Sequence, residues 1–368
     1  MLLIEQGQLG AGASGQNAGS LHFQIERRFL ERPGGLGEEG ERTATLSRIA
    51  IEDWRGLEAQ LGTALHVHMA GGLMVAESAG QAALLERKAA RERAMGLAVE
   101  TIDGDAARRR APYLSPQVVA ANYMADEGHA DTRLVAPAFA RAAVAAGATI
   151  RTGARVTALD RAGAGFRATI AGQEVTAEQV LIAAGAWSTR VAALANLHLP
   201  LLPVALTMSA SERTAIAVPH LVQHVGRRLS LKQTHAGNLL IGGGWPARLH
   251  RDGNGFDLSR PAALVPESLR QNLVAATDIV PEVASLNLIR TWTGITAVTA
   301  DQLPVVGEFP GMPGLFCAAG GSAFTLGPTF ARLLADQMLD RNRSEAEQLL
   351  AVASPARFES LNGFMGRG

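Results

Sequence analysis

The chain has 368 residues, enough for two domains and a sizeable core. Its 34 Lys and Arg balance 34 Asp and Glu, which argues against nucleic-acid binding, because phosphate recognition needs a clear basic excess. The single cysteine, Cys317, excludes an internal disulfide framework and a thiolate zinc or iron–sulfur centre, and it fits a reducing, cytoplasmic compartment.

Leu2-Leu3-Ile4-Glu5 reads as a short buried strand ending in an acid, followed by a glycine-rich run from Gly7 to Gly19. In a dinucleotide-binding βαβ unit such an acid holds ribose hydroxyls, about 20 residues after a G-x-G-x-x-G turn that holds the pyrophosphate. Too few residues precede Glu5 to hold that turn, so the second half of the fingerprint stands without the first. The expectation is that Met1 is not the native start, and that roughly 30 upstream residues supply a strand, a glycine-rich turn and a helix. The block Gly10 to Gly19 allows close backbone approach and an anion-holding nest of N–H groups, or else is an ordinary glycine-rich surface loop. No basic region precedes a short apolar stretch, so no signal peptide is expected.

Helical spacing over Glu41 to Leu61 (Leu46, Ile49, Ile51, Trp54, Leu57, Leu61) predicts a first long helix, and Ala82 to Met95 a second, solvent-facing on one side. Asp131-Thr132 caps a third that stops at Gly147. The short alternating pieces Ala148 to Arg151, Ala154 to Leu159, Phe166 to Ile170 and Glu174-Val175 suit an antiparallel meander. Gln179 to Ala184 is continuously apolar and ends at Gly185, the pattern of a buried parallel strand that delivers the chain to a ligand crevice. Val191 to Ser211 carries no charge, but Pro200 and Pro203 make it a strand-and-turn segment rather than a membrane span. Strands then dominate, including Leu229 to Lys232 and Asn238 to Ile241, with a helix over Pro266 to Thr277. Gly314 to Ala319 is another buried strand, emptying into Gly320-Gly321-Ser322 and a helix from Pro328 to Leu339.

This order predicts a mixed α/β chain of two domains. One is assembled from 1–30, 130–190 and 290–368, with the second built from 31–129 and 191–289. Three units carry the chemistry: Glu5 with Gly10 to Gly19; Leu181 to Ser188; and Trp292-Thr293-Gly294 with Asp301 to Gly307 and Gly314 to Pro328. The last opens a helix whose N-terminal N–H groups carry about half a positive charge, a natural stabiliser for an anionic ring.

Together these units resemble the D-amino-acid oxidase superfamily of FAD-dependent oxidoreductases, over nearly the whole chain from Leu2 to Leu339. Its members include glycine oxidase, sarcosine oxidase, and subunits of hydrogen cyanide synthase and opine oxidase. The resemblance implies a Rossmann-like FAD-binding domain from discontinuous segments, lacking its first strand and helix, beside an antiparallel-sheet substrate domain. It implies Glu5 on the adenosine ribose, with Ser14, Gly15, Asn17, Ala18, Gly19 and Ser20 along the pyrophosphate, ribityl chain and flavin edge. Val156 would meet adenine, Ala184, Gly185 and Trp187 the diphosphate, and Gly320, Gly321, Phe324, Thr325 and Leu326 the pyrimidine side of the flavin. Where glycine oxidase-like members clamp a carboxylate with arginine, this chain has Thr296, and Ser322-Ala323 follows the Gly-Gly turn. Asn17 to Gln24 looks more like the opine oxidase and cyanide synthase branch.

The implied activity is oxidation of the C–N bond of an amino acid, opine or other N-substituted amino acid, with hydride transfer to flavin. The alternative is a catalytically impaired or accessory subunit of a hetero-oligomeric amine dehydrogenase. Substrate-facing candidates are His22, Thr296, Ser322 and Phe324. His22 either sits beside the flavin, as a covalent tether or a substrate contact, or is a hydrogen-bonded histidine of a half-buried loop. The expected partners are a small amine or amino acid and an electron acceptor that is O₂, a quinone or a partner subunit, without nucleic acid, metal or a transmembrane segment. His220 and His224 have i,i+4 spacing but no H-E-x-x-H pattern, and His66-x-His68 reads as one face of a surface strand. Cys317 reads as a small core hydrophobe and Arg108-Arg109-Arg110 as solvated surface.

Overall fold

The computed structural model describes residues 1–30, 38–253 and 255–365, apart from the side chains of 38–42. These residues fall into two compact units, one of 1–16, 136–204 and 295–368, the other of 17–135 and 205–294.

In the first unit, strand Leu2–Ile4 runs parallel to Thr149–Arg151, with Leu3 opposite Ile150. Glu5 N donates to Arg151 O at 2.9 Å, and Ala154 N to Glu5 O at 3.0 Å, so the ladder holds the chain up to the acid. Val180–Ile182 runs parallel to Leu315–Ala319, which pairs antiparallel on its other side with Val305–Glu308. These two small sheets are separate, and the outer strands Leu2–Ile4 and Val180–Ile182 leave Leu3 37% and Leu181 40% exposed. The continuously apolar run before Gly185 is therefore parallel, as its pattern predicts, but not fully buried. Its outer edge lacks a neighbour among the described residues. Thr149–Arg151 is likewise no part of the meander expected there: that sheet consists of Val156–Ala162, Gly165–Ile170 and Gln173–Ala177. Leu315, Phe316 and Cys317 are wholly buried, and helix Gly327–Met338 follows with Phe330, Leu333 and Leu334 inward at helical spacing.

The second unit is built on an eight-stranded sheet. Its order is Leu288–Val298, Leu202–Arg213, Asn238–Gly242, Ser230–Gln233, Leu221–His224, Gly72–Ala76, Ala120–Met124, Val99–Asp103. One pair, Leu221–His224 with Gly72–Ala76, is parallel, so the sheet is mixed rather than purely antiparallel. Leu73, Val75, Val222, Leu231, Leu239 and Ile241 form one apolar layer with Ala276 and Ile279 of helix Pro266–Ile279. Helix Glu38–Leu61 buries Leu46, Trp54 and Leu57, matching the predicted spacing. Helix Ala79–Ala94 is capped by Ser78, whose hydroxyl accepts the Gln81 N–H at 3.3 Å. Its inner face holds not only Leu85 and Ala89 but also Lys88 and Glu92. His66-x-His68 is not a regular strand: His66 has a φ of 53° and stacks on His235 at 3.7 Å. Among the described residues no helix is long and apolar enough to cross a membrane.

Candidate functional site

In the first unit, Glu5 stands at the end of its strand with its Oε1 accepting the Gly7 N–H at 2.6 Å. That bond turns the chain directly after the acid. Ser14 and Gly15 lie on the single helical turn Ala13–Gln16, where Gly15 leaves no room for a side chain: a Cβ would sit 2.2 Å from Gly10 O. Val156 opens the meander, half-buried. Ala184 and Gly185 lead into the turn Gly185–Trp187, with Trp187 N donating to Ala184 O at 2.9 Å, and a Cβ on Gly185 would meet open space.

Strand Leu315–Ala319 empties into Gly320, which has φ of 105° and passes close to Pro304, its absent Cβ 3.1 Å from Pro304 Cα. A left-handed residue pressed against another backbone is a glycine position. Gly321, Thr325 and Leu326 are buried and Ser322 and Phe324 half-buried; Leu326 N donates to Ser322 O at 2.9 Å, a turn that opens helix Gly327–Met338. No side chain caps that helix, Pro328 occupies its first turn, and the position a Gly327 side chain would fill is open. Thr296 lies half-buried on Leu288–Val298.

In the second unit the structure brings Gly19, Ser20 and His22 together with three residues the sequence pattern left unnoticed: His129, Ser230 and Lys232. Asn17 Oδ1 accepts the Gly19 N–H at 2.7 Å. Gly19 has φ of 70°, and a Cβ there would lie 2.2 Å from Ala130 O and 3.1 Å from Lys232 Nζ. Ser20 pairs with His129 across a two-residue ladder, and its Oγ lies 3.3 Å from Ser230 Oγ, which is 3.4 Å from His22 Nε2. Lys232 Nζ, His22 Nδ1 and His129 Nδ1 are buried without a hydrogen-bond partner among the described residues. Burial, the largest influence, holds the Lys232 amine well below the usual lysine range and His22 down to about 4. His22 is therefore neutral near pH 7. The available signal was strand alternation: Ser230 and Lys232 are two apart on one face, with Leu231 on the core face.

Other histidines have structural bonds: His220 Nδ1 lies 2.8 Å from Tyr113 OH, and His224 Nδ1 accepts the N–H groups of Gly226 and Arg227 at 2.9 and 2.8 Å. Cys317 is buried, its thiol pushed up to about 12 by desolvation, and so is no nucleophile. Of the arginine cluster, Arg109 and Arg110 are exposed, while Arg108 is half-buried and donates to Val118 O at 2.6 Å.

Within the first unit, Gly15 and Gly320, where side chains would clash, and the open space at Gly185 and Gly327 suit close backbone approach to a phosphate-linked cofactor. Within the second, the orphaned polar atoms of Lys232 and His22 lie beside Gly19, where a side chain would also clash. Residues 1–337 match the family described as FAD dependent oxidoreductase. The chain is 28% identical over 251 residues to an opine oxidase subunit of Rhizobium meliloti, covering 68% of this chain and 62% of that one. It therefore spans less than two thirds of that relative's length. To glycine oxidase of Geobacillus kaustophilus it is 27% identical over 337 residues, 91% of this chain and 85% of the relative. The solved structure of L-proline dehydrogenase from P. horikoshii has the same fold, with a TM-score of 0.82 at 21% identity over 98% of this chain and 91% of the other.

Proposed function

Since the chain belongs to the D-amino-acid oxidase family of FAD-dependent oxidoreductases, we propose that it oxidises the C–N bond of an amino acid, opine or other N-substituted amino acid. The observation that carries this reading within the molecule is the buried, unsatisfied polar group set of Lys232 and His22 beside the glycine-bearing Asn17–Ser20 segment. FAD, when bound, supplies the acceptor for a hydride leaving the carbon next to nitrogen. The chain's residues then bind and orient. Glu5 accepts from the adenosine ribose, and Ser14, Gly15, Asn17, Ala18, Gly19 and Ser20 line the phosphate and ribityl path. Val156, Ala184, Gly185 and Trp187 cover the adenosine and diphosphate side. Gly320, Gly321, Phe324, Thr325 and Leu326 approach the ring, where the N-terminus of helix Gly327–Met338 favours negative charge.

Thr296 and Ser322 offer hydroxyls where a simple amino-acid carboxylate would find a bidentate arginine. The names of the relatives, opine oxidase and glycine oxidase, support a substrate of this class. An anaerobic screen of opines, secondary amino acids and simple D-amino acids tests the reading: bleaching of flavin absorbance by members of the first two sets is expected, and absence of bleaching by any amine removes it.

A second reading has its own support, since the Rhizobium meliloti relative is named as one subunit of its enzyme. On it the chain works within a hetero-oligomer and passes electrons to a partner rather than to O₂ or a quinone. Colour and activity that arise only with a co-purified partner would favour it.

A further inference from the structure

The second unit contains a directional chain of hydrogen bonds that ends on the backbone directly after His22. Lys88 Nζ donates to Gln24 Oε1 at 2.9 Å, and Gln24 Nε2 donates to Glu127 Oε2 at 2.9 Å. Glu127 Oε1 accepts the backbone N–H groups of Phe23 and Gln24, both at 2.9 Å. At the other end Lys88 Nζ lies 2.7 Å from Glu92 Oε1, which also accepts the Ile25 N–H at 2.6 Å. Lys88 and Glu92 side chains are 0% exposed, and Glu127 is as deeply buried.

The charges in this group do not balance. One ammonium faces two carboxylates away from solvent, and the surplus negative charge favours uptake of a proton. The hydrogen bonds oppose that uptake. Both oxygens of Glu127 already accept donors, and Oε2 lies against Gly72, where a Cβ would be 2.0 Å away. A proton on the carboxyl removes the charge those N–H groups bind and competes with them for the oxygens, so its arrival weakens the hold on Phe23 and Gln24.

We infer that Glu127 is a positioning residue: its ionised carboxylate fixes Phe23 and Gln24, and through them Ser20 to His22, and lets go of them as pH falls. Its bearing on catalysis rests on the reading above, that Ser20 to His22 border the cofactor and substrate. Burial lifts the Glu127 carboxyl to about 7 against the opposing pull of Gln24 and Lys88, which sets the release near neutral pH. The groups facing it are Lys88 and Glu92 from helix Ala79–Ala94 and Gln24 from the held segment; strand Gly72–Ala76 presents only the Gly72 backbone and no titratable side chain. Burial also lowers the proton affinity of Lys88, so a neutral amine would enlarge the negative surplus.

Hydrogen–deuterium exchange of the peptide spanning Ser20 to Gln24, corrected for the intrinsic pH dependence of exchange, tests this on the full chain. Wild-type protection should fall about tenfold between about pH 8.5 and about pH 5.5, the equivalent of one hydrogen bond to a charged group. Glu127→Gln should be weakly protected with no pH step. Lys88→Met, which removes the compensating cation, should move the step to higher pH. Equal protection in wild type and Glu127→Gln, or a wild type without a step, overturns the assignment. If Glu127→Gln does not fold, an unmoved step in Lys88→Met does so instead. FAD titration of the same wild-type sample keeps the two readings apart: no uptake of FAD would sink the functional reading, while the exchange profile still judges Glu127.

Discussion

Lys232 has a buried amine with no partner among the described residues, next to a glycine that cannot carry a side chain. Leaving a buried polar group unsatisfied costs about 1–3 kcal/mol, so a fold keeps it only where a ligand atom or a bound water completes it. Lys232→Met should therefore raise the thermal midpoint by a few degrees while lowering turnover about tenfold or more. A Met variant that is less stable and fully active would contradict this. Thr296 makes the converse prediction. Thr296→Arg should strengthen binding of glycine and simple D-amino acids by about 1.5–3 kcal/mol, the range of a charge-assisted hydrogen bond, read as a fall in KM. Brisk wild-type turnover of those substrates would show that another group holds the carboxylate. The strand that ends at Glu5 and the tight turns at the glycines were legible in the sequence, because a strand-ending acid and a run of small residues are local patterns. Lys232, Ser230 and His129 were not, because only the pairing of distant strands brings them to Ser20 and His22.

Among elements, the helix Gly327–Met338 carries the most specific expectation. Its start has no side-chain cap, and the buried Gly321 lies in the turn that leads into it. Gly321→Val should push that backbone away from a bound ring and raise the barrier by about 2.7–4 kcal/mol or weaken FAD binding. Ala331→Val, exposed one turn further on, should change little. Equal flavin content and turnover in both variants would exclude the placement. The long helices and most strands were readable from hydrophobic period and from Gly, Ser and Pro punctuation. Two segments depart from their sequence pattern for one reason: apolar pattern reports what a segment can bury, not which neighbour it finds. Thr149–Arg151 alternates like the meander strands that follow it but pairs in parallel with Leu2–Ile4, and Val180–Ile182 is apolar throughout yet has a partner on one side only among the described residues. In helix Ala79–Ala94, Lys88 and Glu92 look like an ordinary surface i,i+4 pair; their burial follows from Gln24 and Glu127, which no local pattern connects to them.

At the scale of the whole molecule, nucleotide-binding patterns recur near the start, the middle and the end of the chain, with sheet-rich stretches between them, which is the basis for expecting domains drawn from separated segments. Composition agreed with a small-molecule enzyme: balanced charge, one buried thiol, and glycines at close approaches rather than in repeats. On the proposed function, this chain holds FAD and reduces it with an amine. The most direct test is the visible absorbance of the purified protein, reconstituted with FAD and then mixed anaerobically with opines and secondary amino acids. A bound-flavin spectrum that bleaches with at least one such amine and not with buffer alone is expected. A protein that binds FAD yet keeps its full absorbance with every amine tested, whether alone or with a partner chain, would contradict it.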